Sequence, residues 1–395
     1  MVMNLLRKMK PPKPFEIKLI ASPEDYAPLR EDFKIVGTFN PGVTSIKTDK
    51  GLETILYVRV AETPTKRITD KILLPFFHIN NKEGSPLDID YDVMDRKDLK
   101  KIGKKEVVPK KGPSRLRHIS LPRMVILDEN RNIIERSQKP MIYPSWEYER
   151  FGLEDVRITS FEDGRYFITY STPHREFAVN SHILSTKNVK DLKNLERVTS
   201  DNTPRSEVRG KDIALFPNKI PSPSTTEMIK KGEKVYASFI RPNDFNDLST
   251  PGVWISYSPD LVHWGQNHRL TVSENGEVTG TGSPAVKRPY GWLEAYHETT
   301  MEKGKTKYVT KLMALDLKET WKVLVLSPTL LDREVFRELL PKDGYVPNTV
   351  FTEGMIVDEG RTDFHNGIDD AWSTLASFYT EDVGRFVNGK FLFFL

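Results

Sequence analysis

The chain has no cysteine among its 395 residues, so disulfides and thiolate metal sites are excluded. Its eight histidines nowhere show a metal-ligand spacing such as His-Glu-x-x-His, and no metal site is expected. No apolar run reaches the ~18 residues of a membrane-spanning helix. Residues 1–10 are basic but carry too short an apolar run for a signal peptide. A cytoplasmic protein with no membrane partner is the expectation. Charge of one sign is also scarce, because 59 basic against 55 acidic side chains leave a net +4. That balance makes no case for nucleic acid. The one basic stretch, residues 96–118, lacks interleaved aromatics, matches no nucleic-acid module and reads as a solvated loop. Helical periodicity is thin too, with candidates only near residues 22–33, 189–195 and 331–340.

What is present is short strands. The 27 prolines and 23 glycines are spread along the chain, as turns between many strands require. The segment Arg150-Phe151-Gly152-Leu153-Glu154-Asp155-Val156-Arg157-Ile158 sets two carboxylates between two arginines, then crosses a Glu162-Asp163-Gly164 turn into Tyr166-Phe167-Ile168-Thr169-Tyr170. Acids and guanidiniums at the mouth of such a hairpin mark a candidate site. Side chains alternate along a strand, so one of Glu154 and Asp155 is expected to work in the pocket while the other is structural.

The unit recurs. Asn40-Pro41-Gly42 leads into Ile55-Leu56-Tyr57-Val58-Arg59, Lys211-Asp212-Ile213 into Val235 to Arg241, Gly282-Ser283-Pro284 into Trp292 to His297, and Thr352-Glu353-Gly354 into Asp363 to Gly367. Five units at a period above ~50 residues favour propeller blades over solenoid repeats. The expected fold is all-β, a five-bladed β-propeller with short N-terminal and inter-blade helical segments. Residues 1–34 would form an extension packed on it, 35–395 one catalytic domain, and 63–118 an insertion. Radial packing would gather Asn40, Asp155, Asp212, His297 and Asp369 in one pocket.

These segments, with Lys211-Asp212-Ile213-Ala214-Leu215-Phe216-Pro217, Gly280-Thr281-Gly282-Ser283-Pro284, Gly291-Trp292-Leu293-Glu294-Ala295-Tyr296-His297 and Pro347-Asn348-Thr349-Val350-Phe351-Thr352-Glu353-Gly354, resemble in order the motifs of glycoside hydrolase family 130. That family contains β-mannoside phosphorylases and β-mannosidases. The resemblance covers roughly residues 35–380 and itself implies a five-bladed propeller. It implies that Asp155 is the catalytic acid, passing its proton through a hydroxyl of the bound sugar in the phosphorylases. Asn40, Arg59, Arg150, Asp212 and Asp369 would bind substrate, a mannooligosaccharide or other β-mannoside. Arg209, Lys211 and His297 would hold phosphate.

Which nucleophile is used stays open at this point. In phosphorolysis, inorganic phosphate attacks with inversion and only one protein carboxylate is essential, giving mannose 1-phosphate. Hydrolysis needs a second carboxylate as base, and Glu298 and Glu277 are the candidates. Val278 and Ile240-Arg241-Pro242 depart from the family's usual Lys and His-Arg-Pro. A non-catalytic sugar-binding propeller is the reading from another class. No cofactor is expected, and assembly into a homo-oligomer is left open, as is whether residues 63–118 shape the acceptor side or a subunit contact.

Overall fold

The computed structural model describes residues 10–79, 88–173, 180–198, 210–242, 252–271, 278–302 and 305–388. The strand Gly51–Pro64 shows why the chain folds as sheet. Its run Ile55-Leu56-Tyr57-Val58-Arg59-Val60 is β-branched and aromatic, and it lies between Phe33–Thr48 on one side and Ile119–Leu127 on the other. A central strand covered on both faces reads as a continuous apolar run, and Tyr57, Leu56 and Val58 are fully buried. Arg59 is the exception within it. A buried guanidinium has to be paired, and its partners define the site described below.

Five sheets repeat this plan. Ile133–Pro140 completes the first. The second runs Glu154–Ser160, Tyr166–Thr172, Asn180–Thr186, Glu196–Arg197, and the third Gly210–Leu215, Lys234–Pro242, Trp254–Ser258, Gly265–Arg269. The fourth is Thr279–Thr281, Gly291–Glu302, Lys305–Leu315, Val323–Leu326. In the fifth, the N-terminal strand Glu16–Ala21 pairs with Trp372–Tyr379, beside Arg361–Ile368 and Val350–Val357. Opening strands lie side by side. A side chain at Gly42 would run into the backbone of Val156 in the next sheet, so glycine is required by that close approach.

The expected five-bladed β-propeller is corrected by this topology. Among the described residues the strands fall into seven separate sheets, and none closes into a barrel or propeller. Two of the seven come from the stretch read as an insertion. Lys71–His78 pairs with Asp88–Asp95, and Leu99–Ile102, Glu106–Pro109 and Arg115–Leu116 form a small three-stranded sheet. A sequence period specifies each hairpin; it does not specify how sheets close around one another.

Helix is sparse. The 22–33 segment holds only a 3-10 turn at Pro23–Asp25, and 331–340 one at Arg333–Phe336, where Asp332 accepts from the amides of Glu334 and Val335. No helix forms at 189–195. One α-helix that periodicity did not flag, Thr380–Val387, buries Val383, Phe386 and Val387. Among the described residues no helix is long and apolar enough to cross a membrane.

Candidate active site

Three short polar residues, Asn40, Asp155 and Asp212, sit in left-handed backbone conformation with φ of 50°, 52° and 60°. Each lies where the register of an opening strand slips, between Phe39 and Gly42, Glu154 and Arg157, and Lys211 and Ala214. Asn and Asp tolerate this conformation better than other side-chain-bearing residues, and a bulge re-aims the side chain it carries. The bulge also overturns the alternation argument. Glu154 and Asp155 both reach Arg59, one through each terminal nitrogen of the guanidinium.

Arg59 is the hub. Its Nη1 donates to Asp155 Oδ1 at 2.8 Å, its Nε to Ser120 Oγ at 3.0 Å, and its guanidinium lies 4.8 Å from the Phe39 ring centre. Asn40 Nδ2 donates to the same Asp155 oxygen at 2.8 Å. Burial opposes charge on Asp155, but Arg59, Arg157 and the Asn40 hydrogen bond outweigh it and hold the carboxyl well below its usual range. Glu154 moves the other way, raised by burial and then by Asp155, against the pull of Arg59. His118, 3.4 Å from Arg59 Nη2, is held neutral by burial and by Arg59 itself, so its Nε2 accepts.

A second cluster adjoins the first through Arg157. Its Nη1 donates to the Asp155 carbonyl at 2.7 Å and lies 3.7 Å from Asp212 Oδ1. Asp212 is also 2.9 Å from Arg241 Nε, and Arg241 Nη1 lies 3.3 Å from His297 Nε2. Burial pushes His297 down to about 3, with Arg241 adding to it, so the imidazole is neutral and accepts from the guanidinium. Lys211 is lowered by burial and by Arg241. Burial opposes charge on Asp212, yet Arg241, Lys211 and Arg157 keep it ionised.

The structure thus brings together Asn40, Arg59, Asp155, Lys211, Asp212 and His297. Arg150 lies elsewhere, bonded to Glu147 at 2.6 Å and stacked 4.2 Å over Phe76. Asp369 is turned inward, accepting from Arg333 Nε at 2.6 Å and from the amides of Gly344 and Thr349. Its neighbour Asp370, also left-handed at φ 48°, pairs with Lys105 at 3.0 Å within electrostatic reach of Arg59. Glu298 faces away from His297 along the strand and is bound by Lys311. Arg209 and Glu277 lie outside the described residues.

Sequence reading missed Arg241, Asp370, Lys105 and His118 as site residues. Arg241 had a usable signal, since Ile240-Arg241-Pro242 closes the strand opposite Lys211. Among the described residues no group of three or more His, Cys, Asp or Glu could hold a metal ion.

A carboxylate pinned between guanidiniums, beside a second cluster of cations, is the equipment of a carbohydrate-active enzyme. Comparison with known proteins narrows that class. A family model described as beta-1,4-mannooligosaccharide phosphorylase matches residues 120–388, and the chain belongs to that family, glycoside hydrolase family 130. A beta-1,2-mannobiose phosphorylase of Listeria innocua is 29% identical over 365 residues, spanning 90% of this chain and 92% of that protein. The solved structure of a Listeria innocua beta-1,2-mannobiose phosphorylase, in complex with beta-1,2-mannobiose, superposes with a TM-score of 0.77 at 26% identity. It covers 95% of this chain and 100% of that one. A 1,2-beta-oligomannan phosphorylase of Thermoanaerobacter sp. is 28% identical over 57% of this chain and 67% of its own length.

Proposed function

We propose that this enzyme cleaves β-mannosidic bonds, β-1,2 linkages among them, by phosphorolysis with inversion, releasing mannose 1-phosphate. The observation that carries this reading is the charge around Asp155. Lys211 acts on it directly, and Arg241 and neutral His297 adjoin it through Asp212, while Glu298, Asp212 and Glu353 are each unsuited to act as a base. Glu298 is bound by Lys311 on the far side of its strand. Asp212 is held between Arg157 and Arg241, which weaken it as a proton acceptor. Glu353, near Arg157, is pushed well above the usual carboxyl range by burial. The phosphorylases named above support the same choice, and two of them act by name on β-1,2-linked mannosides.

In this reading Asn40, Arg59 and Asp212 hold the mannose being transferred, while Lys211, Arg241 and His297 receive phosphate. A phosphate dianion offsets the positive field that keeps Asp155 ionised, so the carboxyl gains proton affinity as the second substrate arrives. A phosphate oxygen then attacks C1 from the face opposite the departing group. The C1–O glycosidic bond breaks as the phosphate O–C1 bond forms, the proton from Asp155 reaches the departing oxygen, and the proton of the attacking hydrogen phosphate returns to Asp155. The neighbouring Glu154–Asp155 pair offers a local proton reservoir, because burial and Asp155 raise Glu154 while Arg59 lowers its partner.

The test is product analysis of purified enzyme on β-1,2- and β-1,4-mannobiose with and without inorganic phosphate. Mannose 1-phosphate formed only when phosphate is present is the expected result. Free mannose released at equal rate without phosphate overturns the reading.

A further inference from the structure

A cavity of about 460 Å³ opens where the first sheet meets the two small sheets of residues 71–116. Its walls carry Lys34, Lys66, Arg67, Arg96, Lys104 and Arg117, and no carboxylate lines it. Lys71 also contributes, though Asp95 partly neutralises it at 3.8 Å. The six other cations have no ion pair among the described residues. Like charges lining one cavity repel one another, and among the described residues no carboxylate lines it to offset them.

The cavity is built rather than incidental. Arg117 Nη1 is anchored on the Gly103 carbonyl at 2.7 Å, and Thr63 Oγ1 donates to the Arg117 carbonyl at 2.7 Å. Tyr345, another wall residue, donates its hydroxyl to the Lys104 carbonyl at 2.7 Å. The apolar side chains of Val36, Ile68, Ile72 and Leu73 complete the walls. It adjoins the site around Asp155, since its wall residue Tyr345 packs edge-on against His118 with 5.9 Å between ring centres, but it is lined by different cations. Lys104 and Arg117 line it, whereas their chain neighbours Lys105 and His118 pair with Asp370 and Arg59.

We infer that this cavity binds a small ligand bearing two or more phosphate groups. Each phosphate monoester carries about −1.5 to −2 charges near neutral pH, so two of them offset at least half of the positive charge of the six unpaired cations, where a dicarboxylate offsets only a third. The volume lies within the ~300–1,000 Å³ typical of small-molecule sites, and exceeds what one inorganic phosphate fills. Arginine and lysine together supply both the forked and the point-charge contacts that phosphate oxygens accept.

Inorganic tripolyphosphate is the probe, titrated calorimetrically into the full chain at low ionic strength. Saturable binding is expected at one site per chain in this cavity, apart from any binding at the Lys211, Arg241 and His297 cluster. The exposed triple variant Lys66→Ala/Arg67→Ala/Arg96→Ala should bind at least about tenfold more weakly, since each lost charge-assisted contact alone is worth about that factor. Lys211→Ala, in the cluster near Asp155, should leave the affinity unchanged. Absence of saturable binding, equal binding by the triple variant, or a loss confined to Lys211→Ala overturns the inference.

Discussion

Replacing Arg241 by glutamine probes the phosphate side of the site directly. The guanidinium lies 2.9 Å from Asp212 and 3.3 Å from His297, and its side chain is 12% exposed, so its contacts are only weakly screened. A hydrogen bond to a charged partner contributes about 1.5–3 kcal/mol, which predicts a rise of about 10- to 150-fold in the phosphate KM. Asp212 keeps Arg157 at 3.7 Å, so the sugar side should suffer little and the mannobiose KM should stay near wild type. Initial rates of mannose 1-phosphate formation, with each substrate varied at saturating levels of the other, separate the two constants. Arg241→Lys should recover part of the loss, because it restores charge without the fork. An unchanged phosphate KM in Arg241→Gln would refute the placement of phosphate here. Equal rises in both constants with a lowered Tm would instead make Arg241 a structural residue.

Asp155→Asn keeps the size and the left-handed backbone but removes the proton, so turnover should fall by about 10²–10⁴-fold, with a lowered Tm as well because Arg59 loses one of its two carboxylate partners. Substantial residual turnover would direct attention to Glu154. Gly280→Ala would drive a methyl group into His297 Nε2 and to 2.9 Å from Arg241. Overpacking of this kind costs about 1–3 kcal/mol and should reduce phosphate affinity, both readable in one preparation. His365 is buried, and burial lowers it from 6.5 to about 4. Below pH 6.5 the unfolded chain therefore takes up a proton that the folded chain refuses, and stability declines as pH falls from 6.5 towards 4. About 2 kcal/mol should be lost between pH 7 and pH 5 from this residue. Urea midpoints at the two pH values should converge in His365→Gln; an undiminished difference would assign the loss to other groups.

Much of the site was legible because its chemistry is concentrated in short stretches. Glu154, Asp155 and Arg157 are contiguous, and Arg59 stands out as one charge within an apolar strand. The strand-turn-strand units are visible for the same reason, since alternation and turn residues are local properties. What escaped depends on backbone geometry or on distant chain segments. Alternation placed Glu154 and Asp155 on opposite faces, because a bulge with φ of 52° at Asp155 cannot be seen in a pattern of polar and apolar letters. Lys105 and Asp370 meet across 265 positions, and neither sits in a periodic segment. Asp369 and Asp370 are identical letters side by side, yet one is fastened to Arg333 and the other to Lys105. The closure of the sheets was inferred from their spacing, and spacing carries no such information.

The left-handed conformation of Asn40, Asp155 and Asp212 also narrows which substitutions these positions can survive. Lengthening aspartate to glutamate is chemically the mildest exchange for an acid. Here it is among the harsher ones, because a glutamate at φ of 52° loses the local backbone contacts that reconcile aspartate to that geometry. Backbone shape and reaction chemistry select the same short side chains at these positions. A lineage drifting to a new activity would therefore move first through residues around Asp155, such as Arg241 and Lys105, whose backbones leave the choice open.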